Sequence, residues 1–343
     1  MASNQSVVVY GAYGHTGRFV VSELRKRGWT PVLSGRDARK LDALATEYPG
    51  LTVQPASVDE PASLDRALEG AAAVINCAGP FASTAGPVIE AALRARVPYL
   101  DVAAEVEANI DTFTQYADRA REAGIVVVHA MAFYGGLGDL LATAAMGDWA
   151  SADDISIAYG LDSWLPTAGT LAAGQVSRQR RDGRRVVFAN GKIAHATGAA
   201  PVVEWEFPAP VGTQQAVSEF TMADTVTIAR HIDVPEIRSY MTLAAVKDLI
   251  DPSPKAPVAS DASGRSSQTF VVEVIARKGG EERRAVARGR DIYAVSAPLV
   301  VEALARVLGG QVRTPGVLTA GEAFDARDFL ASLGPEHLSF EVR

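Results

Sequence analysis

Three observations on this 343-residue chain predict an α/β fold: a doubly wound parallel sheet of the Rossmann type, followed by a second α+β domain with a mixed or antiparallel sheet. The first is a short apolar strand, Val7-Val8-Val9-Tyr10, that runs directly into glycines at positions 11, 14 and 17. The second is a regular alternation of apolar strands and amphipathic stretches as far as residue 131, the pattern of a parallel sheet covered by helices. The third is a change of rhythm after Tyr134, where short strands are joined by Asn190-Gly191 and Gly279-Gly280, turn pairs that tolerate positive φ and close hairpins. The expected division is 1–133 for the first domain, 134–293 for the second, and 294–343 for C-terminal helices that pack back on the first.

The β-branched run ahead of Gly11 reads as a strand buried on both faces. Gly11, Gly14 and Gly17 leave no side chain where a phosphate must approach the backbone and where the next helix, 16–27, packs on the sheet. That helix aims free N–H groups and the positive end of its dipole at the turn, which makes an anion site. The spacing G-x-x-G-x-x-G is wider in its first interval than the usual dinucleotide fingerprint, but it follows a strand, opens a helix and leads to a second strand about twenty residues on. Tyr13, His15 and Thr16 lie in the turn and join the cofactor-binding candidates; His15 is read as shaping it.

The second strand ends in Ser34-Gly35, where an NAD-selective site would place a carboxylate. Arg36 follows, its planar guanidinium suited to a 2′-phosphate, with Ser34 and Lys40 as further donors. The expected cofactor is therefore NADP(H). Asp37, the competing NAD signal, lies past the strand end and reads better as the N-cap of a helix at 38–48.

The third strand, 51–57, ends at Ser57, another cofactor-binding candidate, and Pro61 opens the amphipathic stretch after it. The fourth, 72–81, carries Cys77, Ala78, Gly79 and Pro80, a turn of little bulk suited to backbone contacts with ribose and nicotinamide. A helix at 86–96, a strand at 98–102, a helix at 107–123 and a strand at 125–131 complete the repeat. The sparsely charged stretch 125–146 is broken by Gly135, Gly136, Gly138 and Asp139, so it reads as strand, turn and helix and not as a membrane span.

The second domain then begins with a helix at 138–149, a strand at 155–161 and a helix at 167–178. Hairpins at 185–196 and 269–293, and the in-out alternation of Val203, Trp205 and Phe207, point to an antiparallel or mixed sheet. The Pro-, Ser- and Ala-rich stretch 251–267 reads as a loose loop, with a lid as the alternative. Apolar residues at helical spacing from Val295 to Leu308 and a last helix at 320–333 close the chain.

Nearly half of the residues are apolar, and the net charge is −7. This is a globular composition that argues against nucleic acid as partner. A single cysteine excludes an intramolecular disulfide and a cysteine-based metal cluster, and the histidines are too scattered for a metal site. With a polar stretch at 1–6 in place of a signal peptide, the expected location is cytoplasmic, with no membrane partner.

The glycine turn, Ser34-Gly35-Arg36 and the segment Val74-Ile75-Asn76-Cys77-Ala78-Gly79-Pro80-Phe81 together resemble the saccharopine dehydrogenase-like oxidoreductases, which include saccharopine reductase and the trans-acting enoyl reductases. The similarity continues through Gly86-Pro87-Val88-Ile89-Glu90, Tyr99-Leu100-Asp101, Gly169-Thr170 and Gly289-Arg290-Asp291-Ile292-Tyr293. The resemblance implies an NADP-binding Rossmann domain, a substrate domain on a mixed sheet that often mediates a homodimer, and C-terminal helices returning to the first domain. Relatives carry Gly-Glu after the Tyr-x-Asp strand, where this chain has Ala104-Glu105.

No tyrosine is followed four residues later by lysine, so the usual short-chain reductase pair is missing. The catalytic candidates are Asp101, as ligand of a substrate ammonium or positioner of a proton donor or else as a loop carboxylate, and Tyr134 and His231 as proton donors. Cys77 reads as a wall residue, since nothing near it in sequence stabilises a thiolate. The expected activity is hydride transfer at an imine, an activated C=C or a carbonyl of a small molecule. A non-catalytic NADP(H) sensor whose second domain binds a partner is the alternative, and an isomerase or synthase using the cofactor transiently is a third reading.

Overall fold

The structure, a computed structural model, describes residues 5–343; residues 1–4, most of the polar stretch at the start of the chain, lie outside the described residues. The first domain alternates as its sequence pattern demands: β1 Ser6–Tyr10, α1 His15–Lys26, β2 Thr30–Gly35, α2 Ala38–Glu47, β3 Val53–Pro55, α3 Pro61–Leu68, β4 Ala73–Asn76, α4 Phe81–Ala95, β5 Tyr99–Asp101, α5 Val106–Ala123 and β6 Val126–Val128. Asp37 caps α2 by accepting from the Lys40 amide at 3.1 Å, and Pro61 occupies the first turn of α3. The strands are all parallel. Chain order reverses between β1 and β4, and that switch point opens the crevice where ligands of such sheets bind.

The chain then passes through a kinked turn at Phe133–Leu137, where Tyr134 and Gly135 are non-helical, into α6 Gly138–Met146, β7 Asp154–Leu161, α7 Ala168–Arg180, β8 Arg185–Ala189, β9 Lys192–Ala196, β10 Val202–Phe207 and β11 Gly212–Ser218. There follow α8 Ala223–His231, β12 Ile237–Thr242, α9 Leu243–Leu249, β13 Thr269–Lys278, β14 Glu281–Arg290 and α10 Ser296–Leu308. The last elements are β15 Gly316–Leu318, α11 Ala320–Ala323, α12 Ala326–Ser332, α13 Gly334–His337 and β16 Leu338–Val342. The second sheet is mixed, ordered β10-β11-β12-β7-β13-β14-β16 with the β8–β9 hairpin beside β12; β7 and β12 are parallel and the other pairs antiparallel.

Three expectations change, and at 251–267 the loose-loop reading stands, since that stretch forms no helix or strand. The helix expected from residue 86 begins at Phe81, because the Glu105 carboxylate accepts from the Phe81 and Ala82 amides at 2.7 and 3.1 Å and caps it from another element. The helix expected at 320–333 is two helices, divided where Asp325 accepts from the Asp328 amide and starts a new one. The segment from 294, expected as helices on the first domain, also supplies a strand to each sheet, β15 beside β6 and β16 beside β14. Residues 251–267 do not line the large cavity described below, and their second half is tied down through Arg265 to the Glu336 carbonyl and Arg290 to the Ser266 carbonyl.

One apolar core runs from β1 and α1 through α6 to β7, β13 and α10. In α6 every residue but Thr143 is buried. The passage between the two sheets is therefore part of the core and not an exposed linker.

Candidate functional site

The glycine turn after β1 is tied to β2 by two bonds, from the Gly11 and Ala12 amides to the Ser34 carbonyl at 2.8 and 3.1 Å. Gly11 has φ +85°, and a Cβ there would come within 2.8 Å of the Ala78 nitrogen; one on Gly17 would lie 2.2 Å from the Gly11 carbonyl oxygen. Only glycine permits this close crossing of turn, helix and the residue 78 turn. No side chain caps α1, so its first N–H groups face the crevice free for an anion.

A cavity of about 1180 Å³ extends from this turn to the second domain. Of the sequence-predicted cofactor residues, Gly11, Tyr13, Gly14, His15, Thr16, Arg36, Ser57, Cys77, Ala78 and Gly79 line it. Gly17, Ser34 and Pro80 do not: Gly17 packs beneath the turn, Ser34 is fully buried under it, and Pro80 is the residue from which α4 starts. Arg36 is exposed on the rim and forms no ion pair among the described residues. Lys40 lies over the Tyr13 ring, 5.6 Å from its centroid. His15 meets the Phe19 and Tyr293 rings edge-on, burial lowers its pKa, and its buried Nε2 has no protein partner. A cradle that a Cβ would fill, open helix amides, an unpartnered imidazole nitrogen and a free guanidinium fit a phosphorylated dinucleotide with a 2′-phosphate.

The turn at 77–80 is organised by Asn76, which accepts from the Ala78 amide at 3.0 Å and donates to Tyr99 and Thr84. Burial, and after it the Asp101 charge, push the Cys77 thiol up, which leaves it an inert wall residue.

The three catalytic candidates part company. Asp101 is fully buried and does not line the cavity. Its carboxylate accepts from the Ala103 and Ala130 amides at 3.0 and 2.7 Å and from the Tyr99 hydroxyl at 2.8 Å, so it fastens β5 to the turn after β6. His231 is also away from the cavity: its Nε2 bonds Asp139 Oδ1 at 2.6 Å, while Asp139 Oδ2 accepts from the Gly321 amide at 2.8 Å. Burial lowers the His231 pKa, but the bond and charge of Asp139 outweigh it and leave the imidazole raised. Both residues join elements; neither reaches a ligand in the crevice.

Tyr134 does line the cavity. It stands in the kinked turn just before Gly135, whose φ is +113° and whose Cβ would strike the Ala130 carbonyl at 2.6 Å. The buried Asp224 carboxylate holds this turn, accepting from the Gly135 amide at 3.1 Å and from the Tyr159 hydroxyl. The Tyr134 hydroxyl is buried without a protein partner, and burial first, then Tyr293 and Asp224, push its pKa well above the usual phenol range. It is a neutral O–H available to donate.

Several lining residues were not anticipated. Trp164 stacks on Tyr134 at 5.3 Å and donates to the Tyr293 hydroxyl at 3.1 Å. Tyr293 also meets the Thr167 amide and Thr170 Oγ1, at 3.3 and 2.9 Å, fastening the start of α7 beside the glycine turn. In the sequence, Gly169-Thr170 and the Tyr293 segment stand out only by resemblance, and nothing local marks Asp224 or Trp164.

Residues 7–128 match the family described as the saccharopine dehydrogenase NADP binding domain. An Arabidopsis thaliana protein described as a probable mitochondrial saccharopine dehydrogenase-like oxidoreductase is 32% identical over 142 residues, 37% of this chain and 31% of that one. A Bos taurus saccharopine dehydrogenase-like oxidoreductase is 28% identical over 145 residues, 37% of this chain and 34% of that one. A Caenorhabditis elegans lipid droplet localized protein is 33% identical over 142 residues, 37% and 33% of the two chains. The match thus spans about a third of each of these curated relatives. Among solved structures, apo saccharopine dehydrogenase (L-Glu forming) from Saccharomyces cerevisiae superposes with a TM-score of 0.68 over 99% of this chain and 100% of that one at 13% identity, a likeness of fold. The expectation of a cytoplasmic location is corrected by these relatives, two of which are described as mitochondrial and as lipid droplet localized. A lone cysteine excludes an intramolecular disulfide and does not specify a compartment.

Proposed function

We propose, from the match of residues 7–128 to the saccharopine dehydrogenase NADP binding domain, that the chain transfers a hydride between NADP(H) and an imine, an activated C=C or a carbonyl of a small molecule. The observation that carries this reading is the single cavity that joins the glycine cradle and Arg36 to the unpartnered Tyr134 hydroxyl. When bound, NADPH supplies the hydride. The turn at Gly11 and the open start of α1 would hold the pyrophosphate, Arg36 would pair with the 2′-phosphate, and the 77–79 backbone would border the nicotinamide. Tyr134 presents its proton to the atom that gains negative charge, while Trp164 keeps the ring in place and shields it from water.

The test is a titration with NADPH and NADH, followed by assays of NADPH oxidation over aldehydes, imines and enoyl compounds. A charge-assisted contact of about 1.5–3 kcal/mol makes Arg36→Ala weaken NADPH binding roughly ten- to hundredfold and leave NADH binding little changed. Tyr134→Phe keeps NADPH affinity and lowers turnover about 10²- to 10⁴-fold. Equal loss of both nucleotides in the first variant removes Arg36 from its role, and full turnover in the second removes Tyr134. NADPH binding with no oxidation of any compound supports the sensor reading instead. Homodimerisation through the second-domain sheet accompanies this proposal, and a monomer by light scattering refutes it.

A further inference from the structure

Beyond Tyr134 the α9 side of the cavity is apolar. Leu171 on α7, Phe220 and Met222 ahead of α8, and Val246, Leu249 and Ile250 on and after α9 form its wall. No lining side chain on the α9 side is charged: Lys247 does not line the cavity, and Asp248 is turned away to accept from the Trp164 amide at 2.9 Å. The charged lining residues of this half are Glu107 at the start of α5 and Arg178 and Arg181 at the end of α7, none of them on α9. Glu107 and Arg181 face each other at 3.8 Å, and Arg178 stands two helical turns from Leu171, roughly 10 Å along α7.

The rim repeats the asymmetry. The exposed large hydrophobic residues of the described chain are Leu171, Val202, Ile250 and Val258, and two of these four border the cavity, Leu171 at 41% and Ile250 at 63% exposure. Scattered exposed apolar residues need no explanation, but a pair at the mouth of an apolar channel loses free energy in water until something apolar covers it. A compound bearing both an ammonium and a carboxylate would find no partners on the α9 wall and would be desolvated there without compensation.

We propose that the substrate carries an extended hydrocarbon chain, seated between α7 and α9 and leading out past Leu171 and Ile250, with its reducible group at Tyr134. This rests on the oxidoreductase reading above. In the reaction a hydride passes from the reduced nicotinamide to the electrophilic carbon, forming a C–H bond. A proton joins the neighbouring oxygen, nitrogen or carbon, so the substrate gains two electrons and one equivalent of NADPH becomes NADP⁺.

The experiment measures binding without turnover. Butanamide, hexanamide, octanamide and decanamide, which keep a carbonyl but resist reduction, are titrated calorimetrically into the protein saturated with NADP⁺. Burial of each added methylene predicts a Kd lower by about three- to fourfold. Leu171→Asp and Ile250→Asp, at exposed positions that leave the fold intact, weaken decanamide at least tenfold, with the Kd for NADPH unchanged. A Kd independent of chain length, or glutamate binding more tightly than octanamide, overturns the proposal. A preparation that binds neither NADPH nor NADP⁺ overturns the oxidoreductase reading, so the two failures are distinguished.

Discussion

Asp101 and Tyr134 both sit where the chain leaves a parallel strand, and residue type alone does not separate their roles. The strand-end rule leads to both because it locates the crevice, but it does not say which way a side chain points. Asp101 turns into the protein and accepts from two backbone amides and a phenol, whereas Tyr134, held by a glycine at φ +113° and by Asp224, turns into the cavity. The difference is measurable. Burial raises the Asp101 pKa to about 6 from an ordinary 3.8, and its hydrogen bonds only partly offset this. Between pH 4 and 6 the folded state therefore holds a proton that the unfolded state has released, so this group's contribution to stability falls as pH rises through that window and is level above it. In Asp101→Asn the amide oxygen keeps the two backbone bonds and the NH₂ donates to Tyr99, so the fold stands. The variant gains on the wild type by on the order of 2–3 kcal/mol between pH 4 and 7, read as urea midpoints. Asp101→Ala instead leaves two amides bare and is destabilised at every pH, by roughly 2–4 kcal/mol. A catalytic Asp101 would leave Asn and Ala equally inactive in an assay despite their different stabilities.

At the scale of elements, what was legible in the sequence is what is local. The strand β1, its glycines, the Asp37 cap and the Asn190-Gly191 hairpin are each written within a dozen residues. The start of α4 is not, since its cap arrives from Glu105, 24 residues downstream. Nor are β15 and β16, whose partners β6 and β14 lie far back along the chain and whose three and five residues are too short to show a period. The break between α11 and α12 was written in Thr319, Glu322 and Asp325, yet apolar spacing running on across it hid the signal. The Glu105 cap matters for the site because α4 follows directly on the 77–80 turn. Glu105→Ala strips the Phe81 and Ala82 amides of their acceptor, with an expected loss of about 2–3 kcal/mol in denaturant unfolding. NADPH affinity falls with it, as the turn loses its anchor. Glu105→Gln, which still offers one acceptor oxygen, falls between the two. Unchanged stability in the alanine variant would mean that water replaces the carboxylate there and that α4 holds its start unaided.

For the whole molecule, the pattern of 134–293 suggested a second domain attached to the first, and such domains commonly meet across modest polar interfaces and move independently. The structure joins them otherwise. The stretch from β6 to α6 is buried almost throughout, and one apolar core includes Val7 and Leu24 of the first domain with Leu140, Ile157 and Val274 beyond it. Tyr293 then meets both His15 at the glycine turn and Thr170 at the start of α7. Opening either sheet exposes apolar surface of the other, so the domains should unfold as one cooperative unit. Two variants test this, one keeping only Trp29, between α1 and β2, and the other only Trp205, on β10. Their fluorescence transitions on heating are expected to coincide. Saturation with NADPH at about a hundred times its Kd adds roughly 2.7 kcal/mol and should move both transitions upward together, by a few degrees. Two separate transitions, with only that of Trp29 following the nucleotide, would mean that the shared core does not couple the sheets. Coincidence would have a functional consequence as well: a ligand held at the glycine turn then stabilises the α7 wall some hundred and fifty residues away, and the chemical end of the cavity is organised by the cofactor that serves it.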